Sequence, residues 1–261
     1  MVGGGDVRLD HDGLVAVLTI DRPEARNAIA RATMRELATA LDEVAVSPAR
    51  VLVVTGAGSR VFVAGGDLKE LAAIRTLHEA AAMAETMRSV LDRLATLPVP
   101  VVAAVNGDAY GGGAEVAVAC DIRIAADDVR CGFNQVTLGI MPAWGGIERL
   151  TALVGRGRAL ALMTTGRILG AEAALDLGLF DEVVPRERFE AHWHEVAEQI
   201  ARAPRAALVG IKAAQRAAFP SARPDLADEA IASFARTWVA DAHWQMVDEA
   251  EQRRRDARPR G

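Results

Sequence analysis

The sequence predicts an α/β chain: a mixed core of buried strands and helices, followed by a helical C-terminal appendage. Three observations carry this. Short apolar, β-branched runs recur up to the middle of the chain, whereas from Glu187 onward the apolar spacing is helical. Three consecutive glycines, Gly111-Gly112-Gly113, join an apolar strand-like run to an apolar helix-like one. A chain of 261 residues, 51% of them hydrophobic, can bury a full core, yet no apolar stretch reaches the roughly eighteen residues of a membrane span.

Residues 14–20 read as a strand whose weak alternation implies burial on both faces, ended by Asp21-Arg22-Pro23. Ala30, Met34, Leu37, Leu41 and Val44 alternate steps of four and three, which predicts a helix that stops before Pro48. Residues 51–54 form a second buried strand and 61–63 a short third one, leading into Ala64-Gly65-Gly66-Asp67. Residues 68–97 are helical in pattern, in two pieces, ending at Pro98. Strands follow at 99–105 and 121–125, then a turn-rich segment at 138–146 and a helix around 149–154. Short helices at 158–165 and 171–177 and a strand at 180–184 precede the helical tail, which breaks at Pro204 and around 220–224.

The composition narrows the function classes. A net charge of −5 argues against a nucleic-acid surface, although a few local arginines suffice to hold a phosphate. Only Cys120 and Cys131 are present, which fits a reducing cytoplasm rather than a disulfide framework, and the glycine-rich start has no signal-peptide pattern. The five histidines are scattered, and His192 and His194 fall on different sides of a helix, so no metal site is expected. The basic run 253–260 reads as a frayed helix end. The strand 51–54 followed by Gly56-Ala57-Gly58 resembles a dinucleotide-binding turn. Val61 and Phe62 continue as an apolar run where a third glycine and a helix are required, so that reading is rejected.

The glycine elbow is the chemically informative stretch. Glycines at a strand-to-helix turn let the backbone approach a ligand closely, and the first amides of the helix have no partner inside it. Such a place holds anions or a developing oxyanion. One acid, Glu115, lies in this helix among Gly112, Val116, Ala117, Val118 and Ala119. A carboxyl so desolvated should titrate above its ordinary range and serve as an acid/base. The loop 62–70 is a second strand end with bare backbone, and two amides from separate loops make an oxyanion hole.

This pair of loops closely resembles the crotonase (enoyl-CoA hydratase/isomerase) superfamily. Four further stretches match its pattern in order, at 21–28, 138–146, 168–174 and 177–185. The resemblance implies a spiral of ββα repeats, with residues 1–195 as the core and 196–261 as a helical region for oligomerisation. It implies a homotrimer or a hexamer built as a dimer of trimers. It further implies an acyl-CoA thioester as substrate, with no other cofactor. By position, the amides of Ala64 and Gly112 would hold the thioester oxygen, and Arg22, Ala25, Arg26 and Ala28 would contact CoA. Gly65, Asp67, Leu68, Gly111 and Trp144 would line the substrate, and Lys212 would approach a neighbour's CoA.

One departure matters. Hydratases of this superfamily hold a water between two glutamates; the first matches Glu115, but the second position is Gln135. An amide can orient a water but cannot exchange a proton near neutral pH. Three readings follow: a hydratase or isomerase in which Glu115 alone carries the proton; a malonyl-type decarboxylase, whose enolate forms by loss of carbon dioxide; and a non-catalytic acyl-CoA binder. The segment 139–146, with Trp144 where many hydratases have a small residue, also resembles ethylmalonyl-CoA decarboxylases of the superfamily. Asp108, Tyr110 and Asn134 are polar residues near the site that read as structural.

Overall fold

The computed structural model describes residues 5–218 and 224–256. The break expected at 220–224 and the end of the basic run 253–260 therefore lie largely outside the described residues. The strands are β1 (Val7–Asp12), β2 (Val15–Ile20), β3 (Val51–Gly56), β4 (Val61–Val63) and β5 (Val101–Val105), then β6 (Asp108–Tyr110), β7 (Ile122–Ala126), β8 (Arg130–Gly132), β9 (Leu169–Gly170) and β10 (Glu182–Val184). The helices in the first half are α1 (Arg31–Val46), α2 (Leu68–Leu71), α3 (Leu77–Thr96) and α4 (Gly112–Ala119). Those in the second half are α5 (Gly146–Val154), α6 (Arg156–Thr165), α7 (Ala171–Asp176), α8 (Arg186–Arg202), α9 (Arg205–Ala218), α10 (Pro224–Trp238) and α11 (Asp241–Asp256).

Two sheets divide the strands. One runs β1-β2-β3-β5-β7-β10 and the other β4-β6-β8-β9. From β3 to β8 the chain alternates: β3, β5 and β7 enter the large sheet, and β4, β6 and β8 the small one. Helices follow each such pair, so each turn of the chain lays one strand on each sheet and then a helix between turns. This is the expected spiral of ββα repeats. Parallel pairing of β2-β3-β5-β7-β10 buries the large sheet on both faces, which explains the near-continuous apolar runs of β3 and β5.

The short strands β6, β8 and β9 of the small sheet were not expected, and neither were three larger features. β1 pairs antiparallel with β2 across a turn at Gly13, and its Val7 and Leu9 point into the core while Arg8 and Asp10 alternate to the other face. The helix α8 runs unbroken across residue 195 and packs on β2, β3, β7 and β10. The division drawn between core and tail at 195/196 thus falls inside a core helix, and the break comes at Ala203-Pro204. Finally, α10 folds back along α3, and α11 packs on the short 3₁₀ turn Gln135–Leu138. Trp238 Nε1 donates to the Ile74 carbonyl at 3.2 Å, His243 Nδ1 lies 2.5 Å from the Leu138 carbonyl, and the Arg75 guanidinium covers Trp244. The tail therefore roofs its own core.

A candidate active site built on one buried acid

The elbow forms as its residues require. β6 ends at Tyr110, Gly111 turns the chain at φ +54°, and α4 begins at Gly112. A Cβ on Gly113 would lie 1.8 Å from the Val63 carbonyl oxygen, so only glycine lets α4 sit on β4. The helix buries Glu115 to 2% exposure. Its Oε1 accepts from the amides of Trp144 (2.8 Å) and Gly146 (2.9 Å), and its Oε2 from Gln135 Nε2 (3.0 Å). Burial pushes the carboxyl up to about 7, against the opposing effects of the two amides, the Arg149 charge and Gln135. The expected rise is present, and it places the group where it can both take and give a proton near neutral pH.

The oxyanion-hole expectation needs correction on one side. The Ala64 amide is not bare: it donates to the Arg26 carbonyl at 3.2 Å. The Asp67 amide goes to the Ile29 carbonyl at 2.9 Å, whereas the Gly66 amide has no acceptor among the described residues. Gly65, at φ +95°, reverses the backbone between them, and a Cβ there would stand 3.2 Å from the Gly112 nitrogen. Gly66 and Gly112 also face one group. A Cβ on Gly112 would fall 2.1 Å from the six-membered ring of Trp144, and one on Gly66 would fall 3.7 Å from it. Of the two amides of this loop without an acceptor among the described residues, Gly65 and Gly66, that of Gly66 belongs to the residue that shares the Trp144 ring with Gly112.

These residues line a cavity of about 1000 Å³. Near the acid its wall is Ala64, Gly65, Gly66, Gly111, Gly112, Gln135 and Trp144. Leu71, Met83, Phe234 and Trp238 make it apolar under the C-terminal roof, and Arg26, Lys69, Arg130 and Arg254 place cations along it. Gln135 is 7% exposed, and its Oε1 has no hydrogen-bond partner among the described residues.

Several expected contacts are committed elsewhere. Arg22 pairs with Asp6 (3.2 Å) and Asp67 (3.0 Å) and donates to the Ala28 carbonyl, so it fastens the loop rather than presenting a cation. Asp67 caps α2 through the amides of Lys69 and Glu70. Arg26 is exposed, has no ion-pair partner among the described residues, and lines the cavity together with Ala25, Ala28 and Leu68. Lys212 is 6% exposed, paired with Asp121 at 2.6 Å and bonded to the Val99 carbonyl, so its ammonium is held within the chain. Asp108 is structural, as expected: it holds the Tyr110 hydroxyl and Arg130. Arg149, which the sequence reading passed over, donates to the Trp144 carbonyl. Its signal was available as a cation one helical turn beyond a Gly-Gly pair.

The alternating two-sheet spiral and the glycine-elbow acid place the chain in the crotonase superfamily. Within it, the profile described as Enoyl-CoA hydratase/isomerase matches residues 10–254, and the chain is an enzyme of that family. It is 41% identical over 196 residues to the short-chain-enoyl-CoA hydratase of Clostridium acetobutylicum, covering 75% of each chain. It is 40% identical over 210 residues to a probable enoyl-CoA hydratase of Rhodobacter capsulatus, covering 80% of each. The crystal structure of an enoyl-CoA hydratase from Bacillus anthracis superposes with a TM-score of 0.80 at 32% identity, over 95% of this chain and 90% of that one.

Proposed function

We propose that the chain hydrates an enoyl-CoA thioester, or isomerises its double bond, with Glu115 as the single proton carrier. The thioester oxygen sits between the amides of Gly66 and Gly112, which stabilise the charge that develops there. Ionised Glu115 takes a proton from water as the water oxygen bonds to the β-carbon, and the π electrons move onto the thioester oxygen as an enolate. The same carboxyl then returns that proton to the α-carbon as the enolate collapses. Gln135 has its Nε2 committed to Glu115, so its partnerless Oε1 is an acceptor for the second O–H of that water. Arg26 and Lys69 are the cations suited to the CoA phosphates, and no cofactor beyond CoA enters the reaction. Assembly as a trimer or a dimer of trimers belongs to the same reading.

The observation that carries this is the pinned carboxyl: one oxygen held by two amides, the other bridged to the amide side chain of Gln135, where a second acid would otherwise face it. The same singleness supports a second reading, decarboxylation of a malonyl-type thioester, since another carboxylate would repel the substrate's own. Incubation with crotonyl-CoA and, separately, with methylmalonyl- or ethylmalonyl-CoA distinguishes them. The 3-hydroxyacyl product is expected from the first, and turnover of the malonyl thioesters alone would replace hydration by decarboxylation. Gln135→Glu supplies the missing acid and should raise hydration; no rise would refute the role given to Gln135.

A further inference from the structure

The turn that clasps Glu115 is itself clasped from behind. Gly145 stands at φ +91°, and a Cβ there would lie 2.1 Å from Arg149 Nη1; a Cβ on Gly146 would lie 2.5 Å from Glu115 Cγ. Two adjacent glycines thus let a guanidinium approach one side of a turn and the acid approach the other. Arg149 Nη1 donates to the Trp144 carbonyl at 3.0 Å, while the Trp144 amide donates to the acid. Its Nη2 pairs with Asp92 on α3, which lies 3.6 Å from Arg88, and Arg88 in turn pairs with Glu148.

From this geometry we infer that Arg149 is a positioning residue for Glu115, and that Asp92 sets how much of its charge the acid feels. The guanidinium fixes the Trp144 peptide so that its amide and that of Gly146 stay aimed at one carboxylate oxygen. It also brings a positive charge to the acid through a dry interior, where screening is weak. Asp92 offsets part of that charge from the side away from the acid. The ionisable groups around α4 are Arg88 and Asp92 from α3, Glu148 and Arg149 from α5, Asp108 and Tyr110 on β6, and Cys120 at the end of α4 itself. Among them Arg149 is the charge with a leading effect on Glu115, and it lowers the acid's titration.

The two substitutions have opposite signs, which a purely structural role would not produce. Arg149→Met should raise the midpoint at which Glu115 ionises, by about one pH unit, the effect of one nearby charge. Arg149→Lys should restore most of it. Asp92→Asn should lower the midpoint, because the guanidinium is then less neutralised.

The test is an infrared pH titration of the Glu115 carboxyl in the full chain, with Glu115→Gln identifying its band. Coincident midpoints in all variants, or a rise in Asp92→Asn, would overturn the inference. If Arg149→Met does not fold, Asp92→Asn decides alone, because its side chain is 45% exposed and replaceable. The inference rests on Glu115 as the working acid, so crotonyl-CoA turnover is measured in parallel. Shifts without turnover would remove the proposed reaction but keep the positioning role, and turnover without shifts would do the reverse.

Discussion

At the scale of single residues, Glu115 makes the fold less stable as pH rises. Its carboxyl titrates near 7 when folded, against an ordinary value of 4.5. Below about 4.5 both states carry the proton and the group is neutral in effect; between there and 7 the folded state binds more protons, so stability falls with rising pH. The full cost, on the order of 3 kcal/mol, is present above 7. Glu115→Gln keeps the shape and can still accept both amides. Denaturant unfolding should therefore show that variant gaining on the unsubstituted protein from pH 5 to 8, by roughly that amount. Equal pH dependence in the two proteins would contradict the burial argument. The acid and its desolvation were legible because Val116, Ala117 and Val118 offer no solvating neighbour. The choice of Gly66 over Ala64 was not, because it turns on a positive φ at Gly65 and on the Ala64 amide being taken by the distant Arg26 carbonyl.

At the scale of elements, α4 is fitted to its neighbours by glycines that meet different obstacles. Gly113 abuts backbone at Val63, whereas Gly112 abuts the Trp144 ring. Gly112→Ala should cost about 1–3 kcal/mol by overpacking, and most of that should vanish in a Trp144→Ala background. Gly113→Ala should cost at least as much and gain nothing from the same background. Thermal unfolding of the three single and two double variants checks this, and additivity of Gly112→Ala with Trp144→Ala would refute the contact. Element boundaries were read closely wherever a proline or glycine marks them, as at Pro48 and Pro98. The strand β1 went unread although Val7 and Leu9 alternate with charged residues before Asp12-Gly13, a hairpin signal obscured by the glycines at the start.

At the scale of the whole molecule, the tail closes the cavity over the acid. Trp238 is 2% exposed, lines the cavity and ties α10 to the Ile74 carbonyl next to α3. Trp238→Ala should weaken the hold of the roof on the core by about 3–5 kcal/mol. Hydrogen exchange should rise in α10 and α11 before it rises in the large sheet; protection unchanged in both helices would show that the roof does not depend on this anchor. Periodicity showed that the tail is helical, but where it lands is a long-range packing outcome that local pattern does not encode. Among the described residues no helix is long and apolar enough to cross a membrane, in keeping with the apolar runs of the sequence.

The most direct test of a lone proton carrier is the pH dependence of crotonyl-CoA hydration under substrate-limiting conditions. Glu115 must be ionised to take the proton from water, so kcat/KM should rise through a single ionisation near pH 7 and then level off. A rate that falls as pH rises through 7, as an acid that must start out protonated would give, would contradict the account. So would a bell requiring a second ionising group.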